Sequence, residues 1–229
     1  MIISHQYRFI FIKTHKTAGS SLEMAMGPLC GADDVITHME DNLDSGVPRN
    51  YGPGSKLGKY YNRHKLVRKL VGKHSPLLGA FYYEHMPAWR VKELVAPHIW
   101  QSYFKFCVER NPWDKVVSYY LWKTHGQSRQ LPPFRDYVLN KTHRLPTDGK
   151  LYFNNENLLV DKVYEFRQLG DMLTELRDKL GVPISEPLPR EKTGIKADRK
   201  PYADYYDEQT RARVADVYQR EIALMQYRF

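Results

Sequence analysis

Phe9-Ile10-Phe11-Ile12-Lys13-Thr14-His15-Lys16-Thr17-Ala18-Gly19-Ser20-Ser21-Leu22-Glu23 is the stretch whose reading decides the fold. Phe9 to Ile12 are apolar and β-favouring, which predicts a strand. The residues from Lys13 to Gly19 are small, basic or hydroxylated, and Ser20 with Glu23 three residues on spells a capping box that opens a helix. A strand, a short loop and a helix start suit an anion. The first amides of a helix lack partners and carry partial positive charge, and Gly19 lets the backbone approach a ligand closely. Lys16 adds a full charge, and Thr17, Ser20 and Ser21 add hydroxyls. The competing reading is an ordinary strand-to-helix turn.

This loop is not the P-loop of nucleoside triphosphatases. That pattern needs a Gly, four residues, then Gly-Lys-Ser/Thr. Here Lys16 precedes the loop's glycine by three residues, and the hydroxyl that would hold Mg²⁺ after a Gly-Lys pair is not in place. The expectation is a phosphate cradle that works without a metal.

Beyond the loop, 229 residues suit a single α/β domain. A hydrophobic share of 42% and a charged share of 27% are those of a globular chain. The excess of 35 Lys and Arg over 26 Asp and Glu gives +9 and favours anionic partners. Cys30 and Cys107 are too few for a disulfide framework. No apolar run reaches the roughly 18 residues of a membrane span, and the first strand begins too early to leave room for a signal peptide. A cytoplasmic location is the expectation.

Further strands are expected at Leu77–Tyr83, Tyr103–Val108 and Val160–Phe166, and helices after Pro87, after Pro112, over Leu169–Leu180 and over Asp207–Met225. Phe134–Leu139 reads as a short helix. His85 then falls at a strand end just before a helix, the edge of an open α/β sheet where ligands bind. Asn111 as cap and Pro112 in the first helical position start the helix that follows Arg110. Ser118, two turns on, returns to the face where the helix begins, so Arg110 and Ser118 can address one anion together. Lys56 to His74 is basic without an acidic residue, read either as a solvated helix face or as a patch for an anionic substrate.

Two motifs now stand in an order that resembles a known family. Phe11 to Ser21 resembles the 5′-phosphosulfate loop of sulfotransferases. Phe104-Lys105-Phe106-Cys107-Val108-Glu109-Arg110-Asn111-Pro112-Trp113-Asp114-Lys115-Val116-Val117-Ser118-Tyr119-Tyr120 resembles their 3′-phosphate motif, an Arg-Asn-Pro with a Ser eight residues after the Arg. His85-Met86-Pro87 resembles the segment carrying the general base in several members. Tyr205-Tyr206-Asp207-Glu208 and Tyr227-Arg228-Phe229 fit the usual ending of the family-2 type, related to carbohydrate sulfotransferases. The chain departs from relatives in reading Thr-His-Lys where a Pro commonly precedes the Lys.

The resemblance implies a single-domain, three-layer, P-loop-like α/β fold over residues 1–229: a central, mostly parallel sheet flanked by helices, with variable insertions at about 33–75 and 124–158. It implies transfer of a sulfuryl group from 3′-phosphoadenosine 5′-phosphosulfate (PAPS) to an acceptor hydroxyl or amine. The product nucleotide is the 3′,5′-bisphosphate (PAP), and no metal is needed. Lys16, Thr17, Ala18, Gly19, Ser20 and Ser21 would hold the 5′ end of the donor, Arg110 and Ser118 its 3′-phosphate, and Lys192 and Arg199 of the basic loop Glu186–Pro201 would complete the donor site. His85 would be the general base, with Glu84 as the alternative, and Lys16 would neutralise charge on the leaving oxygen. His15 reads as a loop histidine, with orientation of the sulfonate as its other role. An acidic sugar is one candidate acceptor, and neither nucleic acid nor a membrane span is expected. Two other readings are a nucleotide-dependent kinase and a basic polyanion-binding module without catalysis.

Overall fold

Phe9 and Phe11 point to one side of their strand and Ile10 and Ile12 to the other, and all four are buried. A strand buried on both faces needs helices on both, which is the situation of a parallel sheet. The computed structural model, which describes residues 1–37, 48–52, 64–70, 81–126, 131–184, 187–188 and 200–229, has that arrangement. Its strands are β1 (Ile2–Ser4), β2 (Phe9–Ile12), β3 (Val35–Ile36), β4 (Phe104–Glu109), β5 (Phe153–Asn154), β6 (Asn157–Leu158) and β7 (Lys162–Glu165). Its α-helices are α1 (Gly19–Met26), α2 (Lys65–Leu70), α3 (Ala88–Leu94), α4 (Pro97–Ser102), α5 (Pro112–Gly126), α6 (Phe134–Asn140), α7 (Gly149–Tyr152), α8 (Leu169–Leu180), α9 (Glu208–Val217) and α10 (Gln219–Met225).

The five-stranded sheet has the order β3-β1-β2-β4-β7. β4 lies parallel between β2 and β7, with Phe11 beside Phe106 and Val108 beside Tyr164. β1 is antiparallel to both its neighbours, so the other four strands share one direction. β5 and β6 form a separate hairpin. On one face Leu22 and Met26 of α1 and Met172, Leu173 and Leu176 of α8 pack on Phe11, Phe106 and Val108. On the other, Val91 of α3 and Leu151 and Tyr152 of α7 pack on Ile10, Ile12 and Cys107. A third cluster joins α5, α6 and α9 through Trp113, Val117, Tyr137, Val214 and Tyr218. Because β2, β4 and β7 lie in parallel register, the segments after Ile12, Glu109 and Glu165 emerge on the same sheet edge.

The structure revises several sequence expectations. The capping box at Ser20 and Glu23 does not form. Helix α1 starts at Gly19 after Ala18, whose φ of 60° is left-handed, with no side-chain cap. Glu23 lies on the inward face of α1 and serves a buried lysine instead. β1 and β3 were not expected; both are too short to carry a pattern. Of the strand expected at Leu77–Tyr83, residues 77–80 lie outside the described residues and Phe81–Tyr83 join no strand. The helix after Pro87 is two helices, because Pro97 opens a new one. The C-terminal helix divides at Tyr218, and its start carries a capping box of Asp207 with Thr210. β2, β4, β7, α5, α6 and α8 lie within a residue or two of expectation, the β5–β6 hairpin was not expected, and Asn111 Oδ1 accepts from the Trp113 amide at 3.1 Å as the α5 cap. The basic stretch Lys56 to Lys73 falls largely outside the described residues, as do Lys192 and Arg199.

Gly19 shows how closely loop and core are fitted. A Cβ there would sit 2.8 Å from Lys13 Cγ and 3.1 Å from Cε, and Lys13 is held at its far end by two carboxylates. Gly19→Ala gains at most about 1 kcal/mol of helix preference, while forced displacement in a packed interior costs roughly 1–3 kcal/mol. The expected outcome is a lower urea midpoint, and a midpoint that holds or rises would show that Lys13 moves aside freely.

Candidate active site

The chain leaves β2 through Lys13, a lysine only 4% exposed whose Nζ lies 2.7 Å from Glu23 Oε2 and 2.5 Å from Glu84 Oε1. Burial disfavours the ammonium, yet the two carboxylates outweigh it and the pKa of Lys13 is raised. Lys13 therefore fastens the loop both to α1 and to the segment carrying His85. The Thr14 hydroxyl donates to the Val108 carbonyl and meets Thr17 Oγ1 at 2.7 Å. Thr17 is fully buried and its hydroxyl is engaged by Thr14. Lys16 and Ala18 both have φ of 60°, a curl that ordinary residues adopt reluctantly. With no side chain capping α1 among the described residues, the amides at Gly19, Ser20 and Ser21 face the loop's concavity. Lys16 Nζ lies 5.1 Å over the Trp122 ring, on α5.

Arg110 comes to the same place from β4. Its Nη1 donates to the Lys16 carbonyl at 3.0 Å and to Ser118 Oγ at 3.2 Å. Its Nε donates to Asp114 at 2.8 Å, and its guanidinium lies 4.3 Å over the Phe166 ring, just past β7. The structure thus brings together Lys16, Arg110 and Ser118, which the sequence separates by as much as 102 positions. Two neighbouring parallel strands, β2 and β4, deliver them.

Two histidines close the other side of the loop. His15 and His85 stack with ring centroids 3.7 Å apart and planes 12° from parallel. His85, held at φ 52°, donates from Nδ1 to the Lys13 carbonyl at 3.0 Å. A carbonyl only accepts, so Nδ1 carries the proton and Nε2 is left as an acceptor. Nε2 lies 3.6 Å from Glu84 Oε1, too far for a hydrogen bond. Burial, then the neighbouring His15, pushes the pKa of His85 down to about 3. Glu84 is itself engaged by Lys13.

His15 is bound by Asp148, a partner 133 positions away: Nδ1 donates to Oδ1 at 2.6 Å and the backbone amide to Oδ2 at 2.7 Å. Asp148 in turn lies 2.5 Å from Lys115 Nζ, which reaches Glu109 Oε1 at 2.6 Å. Glu109 also accepts from the Arg110 amide at 2.8 Å and from Tyr152 Oη at 2.9 Å. Lys115, Glu109 and Asp148 are fully buried. Burial alone would raise the Asp148 pKa, but Lys115 and His15 overcome it and bring the carboxyl down to about 2. Its folded pKa being depressed, Asp148 adds stability above its ordinary range that is lost as pH falls through about 2. Lys13, Asp148, Lys115 and Glu109 escaped the sequence reading. Glu109 and Lys115 flank the Arg-Asn-Pro motif, but Asp148 has no local signal.

An uncapped helix N-terminus and a pinned guanidinium at the carboxyl edge of a mostly parallel sheet define an α/β protein built to bind an anionic ligand. The chain belongs to the sulfotransferase family, whose model matches residues 1–186. It is thus a transferase with a sulfonate donor and an acceptor as substrates. An uncharacterized protein of Archaeoglobus fulgidus is 30% identical over 101 residues, 43% of this chain and 84% of that one. A sulfotransferase from Alicyclobacillus acidocaldarius has a solved structure similar to this chain, 17% identical, covering 96% of each chain with a TM-score of 0.47. Among the described residues no helix is long and apolar enough to cross a membrane.

Lys115 separates two buried carboxylates, so its removal leaves both without compensation. Lys115→Met is expected to cost about 3–5 kcal/mol of folding stability in guanidinium denaturation. Adding Glu109→Gln should recover part of the loss, and a cost under ~1 kcal/mol for the single variant would contradict this role.

Proposed function

We propose that this protein transfers a sulfuryl group from PAPS to an acceptor hydroxyl. The observation that carries the reading is Arg110, whose Nη1 touches both the carbonyl of Lys16 and the hydroxyl of Ser118. An anion cradle and an Arg–Ser pair side by side suit a nucleoside phosphorylated at both ends. The amides of Gly19, Ser20 and Ser21 with Lys16 would receive the 5′ end, and Arg110 with Ser118 the 3′-phosphate. A kinase would call for the Gly-Lys-Ser/Thr that the chain lacks.

The acceptor oxygen attacks sulfur in line. The new O–S bond forms as the bond from sulfur to the bridging oxygen breaks, and PAP leaves with that electron pair. The acceptor proton goes to Nε2 of His85, the nitrogen left open because Nδ1 is bound to the Lys13 carbonyl. Lys16 and the loop amides neutralise charge growing on the bridging oxygen. Glu84, tied to Lys13, is a poor alternative base.

Arg110→Ala should weaken PAP binding by about 10- to 100-fold in calorimetry, the worth of one or two charge-assisted hydrogen bonds, with a much smaller effect on adenosine 5′-phosphate. Equal losses for both nucleotides would remove the 3′-phosphate assignment. His85→Ala should retain PAP affinity and lose kcat by roughly 10²-fold or more. With the His85 pKa at about 3, the ring is neutral throughout the working range, so His85 introduces no acid limb between roughly pH 5 and 8. A kcat limb near pH 6 would assign the base to another group.

A further inference from the structure

A cavity of about 440 Å³ includes His15 of the histidine pair in its lining. Tyr119 and Lys123 of α5, Tyr137 of α6 and the segment between α6 and α7 also line it. Lys123, Arg144 and Lys150 line this space together with His143, and among the described residues no carboxylate lines it. The one acid of that segment, Asp148, turns away into the buried pair with Lys115. Lys123 lies 4.7 Å over the Tyr119 ring, another residue of the lining. Among the described residues, neither Arg144 nor Lys150 is in an ion pair. Leu131, Leu145 and Pro146 supply apolar surface between the charges.

Three positive charges around one space, with no neutralising acid among the described lining residues, concentrate anions there. The volume suits a molecule of monosaccharide to disaccharide size. His15, which lines the cavity, is stacked 3.7 Å from His85 and is next in sequence to Lys16. A guest in the cavity therefore meets both the histidine pair and the cations.

We infer that this cavity is the acceptor subsite and that it selects hydroxyl compounds carrying a second, anionic group, a carboxylate or a sulfate ester, which Arg144 and Lys150 hold while the hydroxyl reaches the histidine pair. The inference rests on the reading of the chain as a PAPS-dependent sulfotransferase and adds the acceptor's chemical class. Arg144 and Lys150 are positioning residues in this scheme; they touch the acceptor's anion and not the reacting atoms.

The test uses matched acceptors with labelled PAPS: 4-nitrophenyl β-glucuronide against the β-glucoside, and 4-hydroxybenzoate against 4-hydroxybenzyl alcohol. Calorimetry with PAP runs alongside as an independent check of the donor site. The anionic member of at least one pair should be favoured about tenfold or more in kcat/KM, mostly through KM, as two partly exposed charge contacts would give. Arg144→Gln with Lys150→Gln should bring that pair close to equality and leave PAP affinity unchanged. Equal use of neutral members, a preference that survives the double variant, or no transfer to either anion by a chain that binds PAP would each overturn the proposal. A chain that neither binds PAP nor transfers sulfate fails at the donor instead, and the underlying reading falls with it.

Discussion

Lys115 reaches from the first turn of α5 into a space closed on both sides by carboxylates, Glu109 at 2.6 Å and Asp148 at 2.5 Å, with none of the three exposed. Such a group is expensive to desolvate, and its partners would be more so without it. Each carboxylate uses its remaining lone pairs on a different part of the site. Glu109 takes the Arg110 amide and the Tyr152 hydroxyl, and so fixes where β4 ends and Arg110 begins. Asp148 takes the ring and amide of His15, and so fixes the loop after β2. One ammonium thus ties the two sequence motifs together, alongside the direct bond from Arg110 to the Lys16 carbonyl.

Lys13 plays the corresponding part on the other side of the loop, between Glu23 of α1 and Glu84 beside His85. The two networks enclose a backbone that would not hold its shape alone. Lys16, Ala18 and His85 all have positive φ without being glycine, and such conformations persist where the surroundings over-determine them. Here the surroundings are buried ion pairs on both flanks. The same contacts keep His85 on its acceptor tautomer, because the Lys13 carbonyl that accepts its Nδ1 proton belongs to the anchored residue.

What could be read from sequence follows from how locally each feature is specified. The strand at Phe9–Ile12, the loop after it, the Asn111–Pro112 helix start and the return of Ser118 to the face of Arg110 are properties of short segments, and the structure has them. Glu23 illustrates the limit. Three residues after a serine it satisfies the local rule for a cap, but the chain also places it against Lys13, and a buried ammonium outcompetes an amide for a carboxylate. The His15–Asp148 pair, 133 positions apart, leaves no mark on either neighbourhood. β1 and β3 are legible only as partners of a sheet already known, since three and two residues carry no period. The break at Tyr218 was missed because the apolar spacing continues through it: Val214 and Tyr218 both reach the same core.

His15 is the residue whose standing changes most when the fold is known. As a loop residue before Lys16 it has a dozen innocuous explanations. In the structure its backbone and ring are both bound by Asp148, its face covers His85, and it lines the cationic cavity. The Lys16 carbonyl beside it receives Arg110. In the proposed scheme these two adjacent loop residues serve the two substrates, and the backbone that carries them is curled into the left-handed region at Lys16. Such a conformation persists where its surroundings over-determine it. The anchoring of Asp148 by Lys115 holds His15 by both ring and amide, so under that scheme it bears on catalysis as well as on folding.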